Sequence, residues 1–500
     1  MRTAKKLKNS LHYRIFSSGP RRDTVALSLT CTGCPTDYLT VDTHTLSLAV
    51  SGCKDILYLL RLHRPLPPDK QGVKFALKKL QITDSFIDKI PESYVNDDYA
   101  IQSLVMSNNS IETLDAGLVA GNLTYLDLSR NRLSYINNRT FDQMNNIVFL
   151  GLGSNRIENM SVYAFSGLSK LVHLDLSRNN LTYLMDTIFL PLVSLQQLNL
   201  SSNRLEALSE KCFGSLLLLQ QLDISYNQLT SVAPGTLQFL PNLAKLLLAD
   251  NPQLRPDAQI FVGTGRRLQQ VDASRTGLKR VPEALTHSVR YLSLAGNRIS
   301  TLRCGDLDGY PLLHMLDFAD NIIENVEDDA LGRLEMISRL YLNRNKLRSV
   351  PKMLPDKLSY LSLDTNLIEN LTIADFATLG SLKILLLSNN MITYIQENSF
   401  VQLISLEVLD VSNNPLKALT PNTFGGPVAL KDFRIAFVAI APPAKDISFP
   451  VPSPEGIESL HLQHSPGLTN ELMADTAALA AMSRLQYLDM SFSNISNIRM

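Results

Sequence analysis

The chain has 500 residues, 45% of them hydrophobic and 19% charged, and its 47 Lys plus Arg balance 47 Asp plus Glu. This is the composition of a soluble, folded protein, and the balance excludes a whole-chain field that would draw in nucleic acid or an anionic membrane. No segment has the roughly 18 consecutive apolar residues that a membrane-spanning helix needs.

The opening stretch, MRTAKKLKNSLHYRIFSSGPRR, carries seven Lys or Arg and no acid, yet lacks the continuous apolar core of a secretory signal. Three readings stay open: a missing or misassigned first segment, an acid-poor organelle-targeting peptide, or a cytosolic chain. The five cysteines, Cys31, Cys34, Cys53, Cys212 and Cys304, are too few for a disulfide scaffold. Cys31-x-x-Cys34 is also half of a metal or redox motif, but no second half follows at a suitable spacing, so no metal or other cofactor is expected.

Beyond this segment one frame, LxxLxLxxNxL, recurs to the end of the chain. Leu123, Leu126, Leu128, Asn131 and Leu133 form a clean copy. Copies begin at Leu77, Ile101, Leu123, Ile147, Leu171, Leu195, Leu219, Leu243, Leu268, Val289, Leu313, Ile337, Leu358, Leu382, Leu406, Leu430, Ile457 and Leu485, mostly 24 residues apart. Such a period defines a leucine-rich-repeat solenoid, an α/β fold with a concave parallel sheet and an irregular convex side. The leucines at positions 1, 4, 6 and 11 should point inward. The LxL stretch should form a short strand, and strands should stack about 4.8 Å apart. One unit cannot bury its apolar face alone, so stability should come from stacking neighbours. Asn at position 9 should satisfy backbone groups that the turn leaves unpaired, because its amide both donates and accepts. The rings at position 19, Phe141, Phe165, Phe189, Phe213, Phe261, Phe376, Phe400 and Phe424, should stack as core under the convex side. We expect a tail and degenerate cap over residues 1–76 and one continuous array of about 18 repeats over 77–500.

Units such as NRIENMSVYAFSGLSKLVHLDLS (Asn155 to Ser177) resemble the repeats of extracellular animal proteins: chaoptin-like adhesion proteins, Toll-type receptor ectodomains and small leucine-rich proteoglycans. The shorter units around Leu278 to Asn297 and Leu347 to Asn366 are similar to the 21-residue variant found in that superfamily. The resemblance implies an extracellular or cell-surface location and a cysteine-clustered cap before the first repeat. Cys34 with Cys53 is the candidate bridge there, although three cysteines stand where four are usual. Thr45 to Cys53 reads as a degenerate cap strand. Cys212 and Cys304 lie four repeats apart, roughly 19 Å by stacking alone, too far for a disulfide. Sequons begin at Asn108, Asn122, Asn138, Asn159, Asn180, Asn199, Asn370 and Asn494. Asn199 lies between Leu198 and Leu200, so a glycan there would cover part of the concave face.

Two stretches break the period. Asn gives way to Val438, and the prolines of IAPPAKDISFPVPSPEG (Ile440 to Gly456) force an irregular surface loop. The interval from Ser465 to Arg484 holds ELMADTAALAAMSRL, whose Ala and Leu content suggests a convex-side helix. The last repeat starts at Leu485 and the chain stops at Met500. We therefore expect a fragment whose remainder holds further repeats, a transmembrane helix or a lipid anchor.

Function should sit at the variable outward strand positions. Tyr125, Phe149 and His173 occupy position 3 in three adjacent units, and Tyr291, Met315, Tyr341 and Tyr360 cluster further along. Aromatic and Met side chains supply adaptable contact area for a protein ligand, although tyrosine also serves to cover strand backbone. At position 5 runs an acidic row, Asp127, Asp175, Asp223, Asp272 and Asp317, with Asp410 and Asp489 beyond. It suits a basic partner, or it is the LDLS consensus of the fold. The eight histidines are scattered, and no phosphate loop or nucleophile elbow is present, so an enzyme is not expected. The alternatives are an adhesion protein or receptor ectodomain, a secreted matrix protein, and an intracellular scaffold. Ligand and oligomeric state are not legible.

Overall fold

The computed structural model describes residues 78–90, 101–114, 121–254, 259–261, 265–283, 285–440, 449–451 and 453–495. It also describes the backbone of the strands His12–Ser17, Val25–Thr30, Leu39–Asp42 and Ser47–Ser51. Contacts group the chain into two compact units, residues 1–247 with 258–265, and residues 248–257 with 266–500. Both are parallel β-solenoids, as the leucine frame requires.

In the first unit, the strand Ser47–Ser51 pairs antiparallel with Leu39–Asp42 and parallel with Lys79–Thr83. From there the ladder runs coil by coil through Tyr125–Asp127, Phe149–Gly151, His173–Asp175 and Gln197–Asn199 to Lys245–Leu247. The register is constant, position 3 on position 3. Each three-residue strand turns its central leucine inward: Leu126, Leu150, Leu174, Leu198, Leu222 and Leu246 are all buried. Positions 3 and 5 point the other way because successive strand side chains alternate. The second unit repeats this ladder from Gln270–Asp272 to Tyr487–Asp489.

Each strand ends in a sharp turn at position 8, where the backbone is left-handed: φ is 55° at Arg130, 56° at Ser154, 52° at Arg178 and 55° at Ser202. That bend turns the position 9 asparagine against the preceding coil. Asn155 shows the consequence. Its Nδ2 donates to Leu152 O at 2.9 Å in its own coil and to Leu128 O at 3.0 Å in the coil before, while its Oδ1 accepts from Leu133 N at 3.1 Å. The same three bonds recur at Asn179, Asn203 and Asn227, and in the second unit at Asn321, Asn345, Asn390 and Asn414. Thus each amide joins two coils. The final described coils use serine instead. Ser465 Oγ donates to Ile435 O and accepts from Val438 N, and Ser493 Oγ donates to Leu462 O and accepts from Ser465 N. A hydroxyl has a single proton, so it cannot hold two carbonyls at full strength at once.

On the other side of each coil the phenylalanines stack. Centroids are 6.4, 6.3 and 6.2 Å apart along Phe141, Phe165, Phe189 and Phe213, and 5.6 and 5.7 Å apart along Phe376, Phe400 and Phe424. All seven are fully buried. Helix is scarce. The predicted helix is two short ones, Pro466–Ala474 and Thr476–Ala481, split at Asp475, whose side chain caps the second by accepting from Ala478 N. Most of the predicted proline loop lies outside the described residues, but Phe449 within it is buried rather than at the surface. Cys34 and Cys53 also lie outside the described residues. Cys212 is a buried free thiol and Cys304 an exposed one.

Candidate partner-binding surfaces on the sheet face

The strand register builds two aromatic patches from residues that are distant in sequence. In the first unit, Tyr125 and Phe149 lie on adjacent strands with rings 4.2 Å apart and 5° from parallel, and His173 follows with its ring 6.4 Å from Phe149. All three are half-buried. Burial, and secondarily Asp127, raises the Tyr125 phenol above its ordinary pKa, so it stays protonated and able to donate.

Beside these rings the acidic row has a gap. Gly151 holds position 5 between Asp127 and Asp175, and a Cβ there would stand 2.8 Å from Asp127 Oδ1. Gly153 is equally confined, with Asp175 Oδ2 2.7 Å from where its Cβ would be. Each glycine thus opens a notch for one carboxylate, Asp127 at Gly151 and Asp175 at Gly153, which a side chain there would fill.

The second patch corrects the sequence reading in one respect. Tyr341 is paired with Asp317 and Ser362, which places it at position 5; Arg339 holds position 3 between Met315 and Tyr360. The frame starting at Ile337 already contains this assignment. Tyr341 still joins the patch, because both positions face outward and its ring lies 4.8 Å from that of Tyr360. Tyr291, beside Met315, is 45% exposed.

The acidic row has a structural duty. Asp127, Asp175, Asp223, Asp272, Asp410 and Asp489 each accept at Oδ1 from the backbone N–H two residues on, and Asp317 does so from Ala319. Asn199 makes the same turn at the same position. These bonds brace the strand end and use one oxygen of each carboxylate; the second oxygen is also bonded at Asp317, by Ser293 Oγ, and at Asp489, by Gln463 Nε2 and Tyr487 Oη, whereas at Asp127 and Asp175 it meets no donor among the described residues. Burial raises the carboxyls of Asp317 and Asp410 above their usual pKa.

The sequon asparagines Asn108, Asn122, Asn138, Asn159, Asn370 and Asn494 are exposed, while Asn180 and Asn199 are half-buried. The structure adds one site that reading strand positions 3 and 5 does not find, a ring column of Phe437, His464 and Phe492 at position 8. The signal was present in the sequence, since that column elsewhere holds mostly polar residues. Among the described residues no group of three or more His, Cys, Asp or Glu could hold a metal ion, and no helix is long and apolar enough to cross a membrane.

Comparison with known proteins agrees with the geometry. The leucine rich repeat family model matches residues 120–157, 150–205, 194–252, 287–347 and 356–416. The chain is 35% identical over 120 residues to osteomodulin of Rattus norvegicus, which covers 24% of this chain and 28% of that protein. It is 29% identical over 130 residues to opticin of Canis lupus familiaris, covering 25% of this chain and 38% of that one. These matches thus span well under half of the relatives' length. In fold, the chain is similar to a leucine-rich-repeat protein of Leptospira interrogans, with TM-score 0.59, 23% identity, and coverage of 87% of this chain and 99% of that one. It is also similar to a solved Toll–Spatzle complex of Drosophila, with TM-score 0.60, 20% identity, and coverage of 82% and 53%.

Proposed function

The chain belongs to the leucine-rich-repeat family, and from that premise we propose that it is an extracellular or cell-surface protein that binds other proteins through the outward face of its sheet, in adhesion or as a receptor ectodomain. The observation that carries this reading is the Tyr125–Phe149 ring stack beside the Gly151 notch. Rigid rings supply contact area at small entropic cost, and the free oxygens of Asp127 and Asp175 suit a basic side chain of the partner. Tyr291, Met315, Tyr341 and Tyr360 form a second contact area of the same kind. The similarity to osteomodulin and opticin favours a second reading, a secreted matrix protein that assembles with fibrous partners.

The test is a solid-phase binding panel of purified cell-surface ectodomains and fibrous matrix proteins. Tyr125→Ala combined with Phe149→Ala should weaken capture by roughly tenfold or more without unfolding the chain, because both side chains project from the core. Tyr291→Ala with Tyr341→Ala tests the second area in the same way. Unchanged capture refutes the patch concerned, and preference for fibrous proteins selects the matrix reading. Chain expressed through a secretory pathway should lose mass on glycosidase treatment; an unchanged mass sinks the extracellular assignment in favour of an intracellular scaffold.

A further inference from the structure

In the second unit, position 8 follows a pattern until the last described coils. Arg275 pairs with Asp250 and Arg344 with Asp320, and Asn413 donates to Asn389, all across neighbouring coils. These residues have left-handed backbone, φ 52° to 57°, which Asn tolerates and bulky side chains resist. Yet Phe437, His464 and Phe492 hold the same position at φ 57°, 52° and 58°. Their rings stack in a column, 4.6 Å and 16° for the first pair, 4.7 Å and 6° for the second. Phe437 is 53% and Phe492 79% exposed. Two phenylalanines thus stand in water on strained backbone, where the column's own asparagines would be better suited.

Beside the column lies an open cavity of about 360 Å³, to which Arg434, His461 and Gln463 contribute polar walls. No acid lines it, and the two acids next to its walls are already occupied. Asp432 accepts from Arg434 Nε at 3.1 Å and Nη2 at 2.6 Å, and His461 Nε2 is 3.6 Å away. Asp489 accepts from Gln463 Nε2, Ser491 N and Tyr487 Oη. Among the described residues Arg434 donates through Nε and Nη2 only, which leaves both protons of Nη1 for a ligand.

We propose that this cavity is a second docking site, taking a partner's peptide segment in which a carboxylate stands next to an aromatic or large aliphatic side chain. The carboxylate meets Arg434 Nη1, and the apolar neighbour lies on the Phe437–His464–Phe492 column. A single negative charge fits better than a phosphate, because Asp432, Asp489 and Asp410, which lies opposite Arg434 on the next strand, would repel the second. The site uses none of the residues of the sheet-face patches and does not depend on them.

The test is an array of synthetic decapeptides carrying Glu or Asp beside Phe or Leu, with matched peptides in which Lys or Gln replaces the acid. The best binder is then titrated against the full chain by fluorescence anisotropy. The acidic–apolar peptides should bind selectively. Arg434→Gln, and separately Phe437→Asn with Phe492→Asn, should weaken them at least tenfold, the Asn pair leaving the melting midpoint unchanged or higher. Equal binding of Lys peptides, wild-type affinity in the variants, or no peptide binding at all overturns the proposal. So does concentration-dependent self-association that Phe437→Asn abolishes, which would assign the face to a second copy of the chain. Capture through Tyr125 and Phe149 is unaffected by these variants, so the two proposals fail separately.

Discussion

At the residue scale, the position 9 asparagine does what no other side chain does at that place, for a reason visible in its bonds. Asn203 donates to Leu200 O and Leu176 O at 3.0 Å each and accepts from Leu181 N at 3.0 Å. Aspartate at that site would face two carbonyls with no proton to give, leaving buried acceptors orphaned at about 1–3 kcal/mol each. Serine would keep one donor and one acceptor, as Ser465 does. Asn203→Asp should therefore lower the melting midpoint more than Asn203→Ser; the reverse order would refute the bridging account. A different sign holds for Asp317. Its carboxyl is raised mainly by burial, so the folded state holds its proton more tightly than the unfolded chain does, and stability falls as pH rises through that window. Asp317→Asn removes this cost and keeps an acceptor for Ala319 N, as Asn199 does for Ser201 N. The variant should melt higher than wild type at pH 7, with the gap closing once pH drops below the ordinary carboxylate range. Cys212 offers a third check. Burial, with Asp186 assisting, pushes its thiol up to about 12, whereas Cys304 is exposed. Peptide mass mapping after iodoacetamide treatment of the native protein at neutral pH should find Cys304 modified and Cys212 not.

The unit of stability at the element scale is the contact between coils. Phe165 stacks on Phe141 and Phe189 and is fully buried, so Phe165→Ala removes ring contacts to both neighbours at about 3–5 kcal/mol. In a quasi-one-dimensional array this loss is local. Hydrogen exchange should quicken most in the strands Tyr125–Asp127, Phe149–Gly151 and His173–Asp175 and progressively less toward Lys245–Leu247 in the same unit. Uniform quickening across the unit would mean global cooperativity and contradict the account. Substitution of Asn by Ser in the last described coils puts weaker ties there, which the short helices Pro466–Ala474 and Thr476–Ala481 accompany.

At the scale of the whole molecule, the phase of the repeat within each unit was legible, because burial in a solenoid depends mainly on phase. Leu126, Asn131 and Phe141 are buried for the same reason as Leu150, Asn155 and Phe165 one period on, so reading one coil reads its regular neighbours. The outward residues obey no such rule. Tyr341 belongs to the second patch through its ring contact with Tyr360 across a coil boundary, which the frame that puts it at position 5 does not contain. Likewise the acidic row was visible as a row, but its bracing of the strand ends appears only as bonds from Asp127 to Ser129 N and its counterparts. The Phe437–His464–Phe492 column needed the turn geometry, since nothing in three separate motifs says that position 8 side chains stack. Inward side chains are dictated by hydrophobic burial, a property of each residue and its period. What the outward ones do depends on which neighbours the coiling sets beside them and how much water it leaves there, and only the folded chain decides that.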